Sequence, residues 1–248
     1  MKTITRTTLT LAACWIGIAS SACTFEVIEG SGDSATEQRE VPAFKAVSNA
    51  SMLDVELVVG AEQLVEITCD DNLLDYLRTE VDDGELKLFQ PTVIDEPNHF
   101  VELDPRTDCR AVIATPRVVA VRNVGSGELE SSGALDELAE VESTGSGDTR
   151  LVDIDVTRLE VRVTGSGDVE LAGCVSTLDL ESTGSGSIFA AGVAARDATV
   201  KVTGSGDVEI AASGDVDVKI TGSGDVYIAG RPGSLQVSTP GSGRVIFQ

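Results

Sequence analysis

The chain has 248 residues, with 41 Asp and Glu against 18 Lys and Arg, and a formal net charge of −23. Such an acidic chain repels phosphate backbones and anionic lipid headgroups, which disfavours nucleic acid and direct contact with a lipid surface. With 42% hydrophobic residues it is too apolar to be disordered as a whole, and its length suits one large all-β domain or two small domains.

Residues 1–22 have the parts of a bacterial secretory signal peptide. Two cations precede an apolar run, residues 9–19, which is too short to span a membrane and is followed by small residues. Cys23 comes next, as in a lipoprotein signal whose cysteine is lipidated and becomes the mature N-terminus. A second candidate, Cys14, lies inside the apolar run, and ordinary cleavage after Ala22 is an open alternative. We predict an exported protein of the bacterial periplasm, outer membrane or cell surface, lipid-anchored through Cys23.

The segment after this signal changes character twice. Residues 24–40 are polar, contain Gly and Ser and lack a period, which predicts a flexible linker. Residues 41–116 show β patterns and are expected to form the N-terminal β-rich part of the domain. Within it we expect strands at 52–59, 63–68, 85–89 and 109–114, a hairpin turn at 60–62, a short helical turn at 72–78 and a loop at 91–108.

Three cysteines, Cys69, Cys109 and Cys174, follow Cys23. In an oxidising compartment an odd set suggests one disulfide and one remaining thiol. Cys69 and Cys109 lie in the non-repetitive half, each at the end of an expected strand, so we predict that they pair. Cys174 is expected to be a small buried residue at a turn. The chain contains no Cys-x-x-Cys pair, so cysteine spacing gives no metal signal.

Residues 117–248 are repetitive. Gly-Ser-Gly begins at 125, 145, 165, 184, 204, 222 and 241, and a period near 20 indicates stacked supersecondary units. Both glycines of each triplet are expected to form a corner, which needs a positive φ or a close backbone approach. These structural corners are Gly125, Gly127, Gly145, Gly147, Gly165, Gly167, Gly184, Gly186, Gly204, Gly206, Gly222, Gly224, Gly241 and Gly243.

The residues flanking the triplets sort into columns. An aliphatic column stands four residues before each triplet: Val121, Val141, Val161, Leu180, Val200, Val218 and Val237. The next column is charged and alternates in sign over its first five members: Arg122, Glu142, Arg162, Glu181 and Lys201. Period-2 alternation on both sides of each triplet predicts strand, corner, strand. The predicted fold class is all-β: a parallel β-solenoid, or β-helix, with roughly 20-residue coils and an N-terminal β-rich capping region. Opposite charges stacked in this way would fix the register.

An acidic column follows the triplets and is the sharpest chemical feature of the repeats. Its aspartates are Asp148, Asp168, Asp207 and Asp225, with Glu128 before them and Ser187 as an interruption. Carboxylates stacked about 5 Å apart could bind Ca²⁺. Aspartate also favours corners because its side chain hydrogen-bonds the local backbone. Both interpretations stay open, and no cofactor other than Ca²⁺ is expected.

Several motifs along the chain are similar to one bacterial family. They are Phe44-Lys45-Ala46-Val47, Val65-Glu66-Ile67-Thr68, Asp70-Asp71-Asn72-Leu73-Leu74, Asp83-Gly84-Glu85-Leu86-Lys87-Leu88, Pro116-Arg117-Val118-Val119 and the Thr-Gly-Ser-Gly-Asp units. Over 41–248 the sequence resembles the putative auto-transporter adhesin head GIN domain family, a domain of unknown function. The resemblance implies an exported or lipid-anchored protein with a solenoid-like fold, and it assigns no catalytic residues.

These features favour a non-catalytic scaffold or adhesion module of the cell envelope. The only histidine, His99, lies in the expected loop and is a poor candidate for a catalytic base. A polysaccharide-acting β-helix enzyme is the alternative, but the acids are spread over every coil and the repeats hold only Phe189, Tyr227 and Phe247 as aromatic residues. Expected partners are an unidentified envelope protein or glycan and, through the open edge of the C-terminal coil at 244–248, a second copy.

Overall fold

A computed structural model describes residues 6–8, 24–91 and 99–248, and this part is almost entirely β. The strands of its N-terminal part are β1 (Arg6–Thr8), β2 (Thr24–Glu29), β3 (Ser34–Gln38), β4 (Ala46–Ala50), β5 (Asp54–Val59), β6 (Leu64–Asp70), β7 (Arg78–Asp82), β8 (Glu85–Phe89), β9 (His99–Asp104) and β10 (Arg110–Thr115). The later strands are β11 (Ala120–Asn123), β12 (Leu129–Ser132), β13 (Glu140–Ser143), β14 (Thr149–Val163), β15 (Val169–Ser182), β16 (Ile188–Val202), β17 (Val208–Ala212), β18 (Asp215–Ile220), β19 (Val226–Ala229), β20 (Ser234–Ser238) and β21 (Val245–Phe247).

The repeats form the predicted parallel β-solenoid, which has about six turns. The first face contains the strands that precede the triplets, in the order β8, β4, β11, β13, β14, β15, β16, β18, β20, all parallel. The second face contains the strands that follow the triplets, from β5 through β12, β14, β15, β16, β17 and β19 to β21. The long strands β14, β15 and β16 bend between faces, and their middle segments form a third face.

The core is built from the predicted aliphatic column, except for its last member, Val237, which is 47% exposed, and from a second column that follows the triplets. Val121, Val141, Val161, Val200 and Val218 are each 0% exposed and stack in register from coil to coil. The column that follows the triplets is equally buried and consists of Leu129, Thr149, Val169, Ile188, Val208 and Val226. Side chains alternate between core and solvent along each strand, so each coil contributes several apolar groups to one continuous core.

The first coil lacks the repeat signature. β4 pairs with β11 and β5 pairs with β12 in the register of the later coils. Their corner is Ser51-Met52-Leu53, on which the first glycine triplet stacks. Buried Asn49 holds this corner, because its side-chain amide donates to the carbonyl of Leu53 at 2.9 Å and its Oδ1 accepts from the amide of Ser51 at 3.2 Å. The asparagine therefore fixes a corner that has no glycine.

The strand pairing of the N-terminal part corrects one prediction. β5 and β6 do not pair as a hairpin, because β10 lies between them, parallel to β5 and antiparallel to β6. A short 3-10 turn at Leu74–Tyr76 lies within the helical turn expected at 72–78. β7 and β8 form an antiparallel hairpin through Asp83 and Gly84, both with positive φ. The loop expected at 91–108 contains β9, which pairs with β2, while residues 92–98 lie outside the described residues.

The segment expected to be a linker, 24–40, is also corrected: it contains β2 and β3. β2 pairs with β9 and β1, and β3 adds antiparallel to β6. These pairings use backbone groups, so they leave little trace in a polar sequence. Of the predicted signal segment, only Arg6–Thr8 is described, and Cys14 and Cys23 lie outside the described residues. Signal cleavage and lipidation therefore stay predictions.

Candidate functional site

The corner glycines are required by close approach and not by a positive φ. A Cβ at Gly165 would lie 2.8 Å from the carbonyl carbon of Thr144 and closer still to the carbonyl oxygen of Gly145, one coil below. That oxygen accepts hydrogen bonds from the amides of Ser166 and Gly167 at 3.0 and 3.3 Å. The same crowding is found at both glycines of every triplet. A side chain at these positions would push adjacent coils apart.

The acidic column forms a hydrogen-bond ladder along one edge of the solenoid. Asp148 accepts a hydrogen bond from the backbone amide of Asp168 at 2.8 Å, and Asp207 accepts from the amide of Asp225 at 2.7 Å. Where the column is interrupted, the hydroxyl of Ser187 accepts from the amide of Asp207 at 3.2 Å. One oxygen of each of these side chains is thus bonded to the next coil.

This arrangement bears on the predicted Ca²⁺ site. Calcium needs six to eight converging oxygens, whereas the aspartates of the column each direct one oxygen at a backbone amide. Within the described residues, the one group of three side chains placed to share a metal is Cys69, Asp70 and Cys109, and its two cysteines are joined as a disulfide. The Ca²⁺ interpretation of Asp148, Asp168, Asp207 and Asp225 stays an untested prediction.

The two ends of the acidic column differ in charge. At the N-terminal end, burial and the nearby carboxylates of Glu130, Asp54 and Asp148 raise the pKa of Glu128. At the other end, the Arg244 side chain and backbone amide hydrogen-bond to Asp225 and lower the pKa of that carboxyl. The acidic column therefore runs from crowded carboxylates to an ion pair.

The charged column on the first face forms only some of the ion pairs between adjacent coils that its alternating sign predicts. Arg122 contacts Glu142 of the next coil at 3.3 Å and also Glu85 at 2.5 Å and Glu140 at 2.9 Å. Arg162 pairs with Glu140 at 3.3 Å and with Glu160, both outside its own column. The register stacks opposite charges as predicted, but the long arginine side chains reach diagonally to the acids beside the column.

Asp70 is the polar centre of the N-terminal part and was not singled out as a site from the sequence. It is fully buried and accepts hydrogen bonds from the amides of Gly32, Arg106 and Thr107 at 2.6, 2.9 and 3.0 Å. Burial acts to raise the pKa of Asp70, but the bonds from Thr107, Gly32 and Arg106 together lower it. The predicted Cys69–Cys109 disulfide is confirmed next to it. Together they fix β2 and β3 to the domain.

Cys174 is exposed, which corrects the expectation of a buried residue. It stands on the third face in register with Asp155 and Ala194, and its neighbour Val175 points into the core. Alternation along the strand therefore directs Cys174 outward. It borders a shallow groove of about 500 Å³ lined by Val156, Ala194, Ala211, Arg196 and Arg231 among others.

The second face carries an outward column that aligning the repeats on their glycines does not mark as a site. Its members in register are Glu130, Arg150, Glu170, Phe189, Glu209, Tyr227 and Ile246. The lower half of this column, Glu130 to Glu170, is charged, and Arg150 and Glu170 form an ion pair at 2.6 Å. The upper half, Phe189 to Ile246, places Phe189 and Tyr227 two coils apart, about 10 Å, with Glu209 between them. Two of the few aromatic residues of the repeats therefore share one surface strip.

No helix in the described ranges is long and apolar enough to cross a membrane. His99 lies in β9 and not in a loop.

The comparisons with known proteins agree with this architecture. The family described as "Putative auto-transporter adhesin, head GIN domain" matches residues 43–232. Among solved structures, a putative adhesin from Bacteroides fragilis is similar at 22% identity and TM-score 0.82, covering 89% of this chain and all of that one. A putative lipid binding protein from Parabacteroides distasonis is similar at 25% identity and TM-score 0.73, covering 90% of this chain and 99% of that one. A putative adhesin from Parabacteroides merdae is similar at 22% identity and TM-score 0.65, with the same coverage. No curated protein matches the sequence.

Proposed function

The chain belongs to the putative auto-transporter adhesin, head GIN domain family, and from that premise we propose that it is an exported, lipid-anchored, non-catalytic adhesion or interaction module of the bacterial cell envelope. The observation that carries this proposal is the outward column of the second face. Phe189, Glu209 and Tyr227 of this column project outward from the sheet, whereas the corner aspartates are bonded to neighbouring coils.

The upper half of that column suits a glycan partner. Phe189 is 37% exposed and Tyr227 is half-buried, so each can offer ring surface to a ligand lying along the stacking direction. Glu209 between them can accept hydrogen bonds from hydroxyl groups. Because the chain is strongly acidic, a neutral glycan is favoured over an anionic one. An envelope protein is the alternative partner.

Binding of the purified protein to immobilised neutral envelope polysaccharides tests the adhesion proposal. The double variant Phe189→Ala and Tyr227→Ala should weaken binding at least tenfold, since each aromatic contact typically contributes about 1 kcal/mol. Val124→Ala is the matched control, because Val124 is 45% exposed but lies at a corner. Equal binding by the wild type, the double variant and the control would exclude the strip of Phe189, Glu209 and Tyr227 as the binding site. Capture of an envelope protein that depends on the same two side chains would identify the alternative partner.

Export and anchoring rest on the N-terminal sequence and need their own test. Cells producing the full chain are labelled with a palmitate analogue and fractionated. Label should be incorporated in the wild type and lost in Cys23→Ser, while Cys14→Ser retains it. An unlabelled wild-type protein would remove the lipid anchor from the proposal without affecting the adhesion strip.

Lipid binding is a second candidate function, favoured by the groove on the third face. Its lining includes small apolar side chains, Ala194 and Ala211 among them, and the exposed cation of Arg231. A similar structure is described as a putative lipid binding protein. A fluorescent fatty acid should bind the wild type and be excluded by Ala211→Phe, which fills the groove. Absence of saturable binding by the wild type would eliminate this candidate.

Two further alternatives have simple tests. A melting temperature unchanged by millimolar Ca²⁺ would eliminate a structural calcium site. Release of reducing ends from acidic polysaccharides by the purified protein would support a β-helix enzyme and contradict the non-catalytic proposal.

A further inference from the structure

The C-terminal coil exposes residues at positions that are buried in the core of the preceding coil. Val237 stacks on Val218, and Phe247 stacks on Ile228. Val218 and Ile228 are each 0% exposed. In contrast, Val237 is 47% exposed and Phe247 is 57% exposed. These side chains continue the core columns and have no described coil above them. The end of the core is therefore an apolar surface.

The backbone at this end is also available for pairing. In the described part of the chain, β20 is bonded only to β18 and β21 only to β19. The N-terminal end differs, because its edge strands, β7 and β3, are added antiparallel to β8 and β6. Exposed acidic side chains, Glu80 and Asp82 among them, line β7 and protect its outer edge from pairing.

The charge distribution distinguishes the C-terminal end from the rest of the surface. The chain has a net charge of −23, yet residues 232–248 contain no Asp or Glu. Gln236 and Ser238 stand where the preceding coil has Asp217 and Lys219. The one charged residue there, Arg244, pairs with Asp225 at 2.6 Å. Two copies of this acidic protein can therefore approach through this end without opposing like charges.

We propose that a second copy of the chain docks on this end, so that two solenoids associate through their C-terminal coils. Antiparallel pairing between the strands of the two copies satisfies the free edge groups, and contact between the core ends buries Val237 and Phe247. The association closes at two copies, since a contact between two equivalent C-terminal ends occupies that end in both copies. The proposal is independent of the adhesion function.

Sedimentation velocity of the full chain, in a density-matched non-ionic detergent, tests the proposal. The wild type should sediment as a dimer at tens of micromolar and dissociate on dilution. Added salt should strengthen the dimer by screening repulsion between the two acidic copies. The variant Val237→Asp with Phe247→Asp should dissociate at least about tenfold more readily, because it places like charges opposite each other.

The matched control is Val124→Asp with Phe189→Asp, which makes the same substitutions at exposed positions away from this end and should remain dimeric. If the core-end variant does not fold, Gln236→Glu with Ser238→Glu adds the repulsion at exposed positions instead. A monomeric wild type at high concentration would overturn the proposal. So would dimers unaffected by both end variants, or oligomers that grow beyond two copies.

Discussion

Replacing Gly165 by alanine tests whether the corner glycines are required by close approach. Gly165 does not have a positive φ, so the backbone itself accepts alanine. In open space, such a substitution would stabilise the protein by about 0.4–1 kcal/mol, because alanine restricts the unfolded chain. In this solenoid the new Cβ would instead lie against the backbone of Thr144 and Gly145, which has no side-chain freedom to move away. A lower free energy of unfolding in the variant would therefore support close approach, and a higher one would indicate open space at this position.

The expected loss follows from the contacts at this corner. Relieving the overlap requires the two coils to separate, which strains two backbone hydrogen bonds, those from the amides of Ser166 and Gly167 to the carbonyl oxygen of Gly145. Overpacking typically costs about 1–3 kcal/mol, and each weakened bond adds up to about 1 kcal/mol. We expect Gly165→Ala to lose about 3–5 kcal/mol.

Urea unfolding followed by circular dichroism measures this loss. Ser166→Ala is the matched control, because Ser166 is exposed between the two glycines and its substitution should change the free energy of unfolding by less than about 0.5 kcal/mol. A stability of Gly165→Ala equal to or above that of the wild type would refute the close-approach argument.

Three other predictions concern polar and covalent contacts. Asp70→Asn should lower the free energy of unfolding, measured by urea unfolding, by about 2–3 kcal/mol at pH 7. Because the amide hydrogen bonds outweigh burial and lower the folded-state pKa of Asp70, the wild type keeps this advantage above the unfolded-state pKa of about 4. It loses the advantage as the pH falls toward the lower folded-state pKa, where its carboxylate is protonated. Asp207→Ala should cost about 1–2 kcal/mol in urea unfolding, with or without Ca²⁺, because it leaves the amide of Asp225 without its acceptor. Reducing Cys69–Cys109, which closes a separation of 40 residues, should lower stability by about 4 kcal/mol, and calorimetry with and without reductant measures it.

The repeat region is predictable from the sequence because its contacts obey one rule. Coils of nearly constant length place equivalent residues in register, so aligning the glycines predicts which side chains stack and which are buried. Val161, for example, is expected in the core from the column alone and is 0% exposed. The rule fails at the first coil, where Ser51-Met52-Leu53 replaces the glycine triplet and Asn49 supplies the missing support through side-chain bonds.

The N-terminal part is less predictable because its pairings are non-local. Nothing in the residues of β5 and β6 shows that β10, some 40 residues later, lies between them. The segment containing β3 is polar and reads as a linker, yet it pairs along β6, and the buried Asp70 binds the amide of Gly32 just before it. Local pattern identifies strands here, but long-range backbone bonds determine their neighbours.

The interruptions of the acidic column explain what the column does. A hydrogen-bond ladder requires each member to accept a bond from the amide one coil above, and a hydroxyl can do this as well as a carboxylate. Ser187 meets this requirement: its backbone amide donates to Asp168 at 2.7 Å and its hydroxyl accepts from Asp207. A row of cation ligands would instead lose a charge at this position. Arg244 ends the ladder, because it only donates, with its amide and its side chain, to Asp225. The spacing of the aspartates follows from coil stacking, and their chemistry follows from backbone amides that need acceptors.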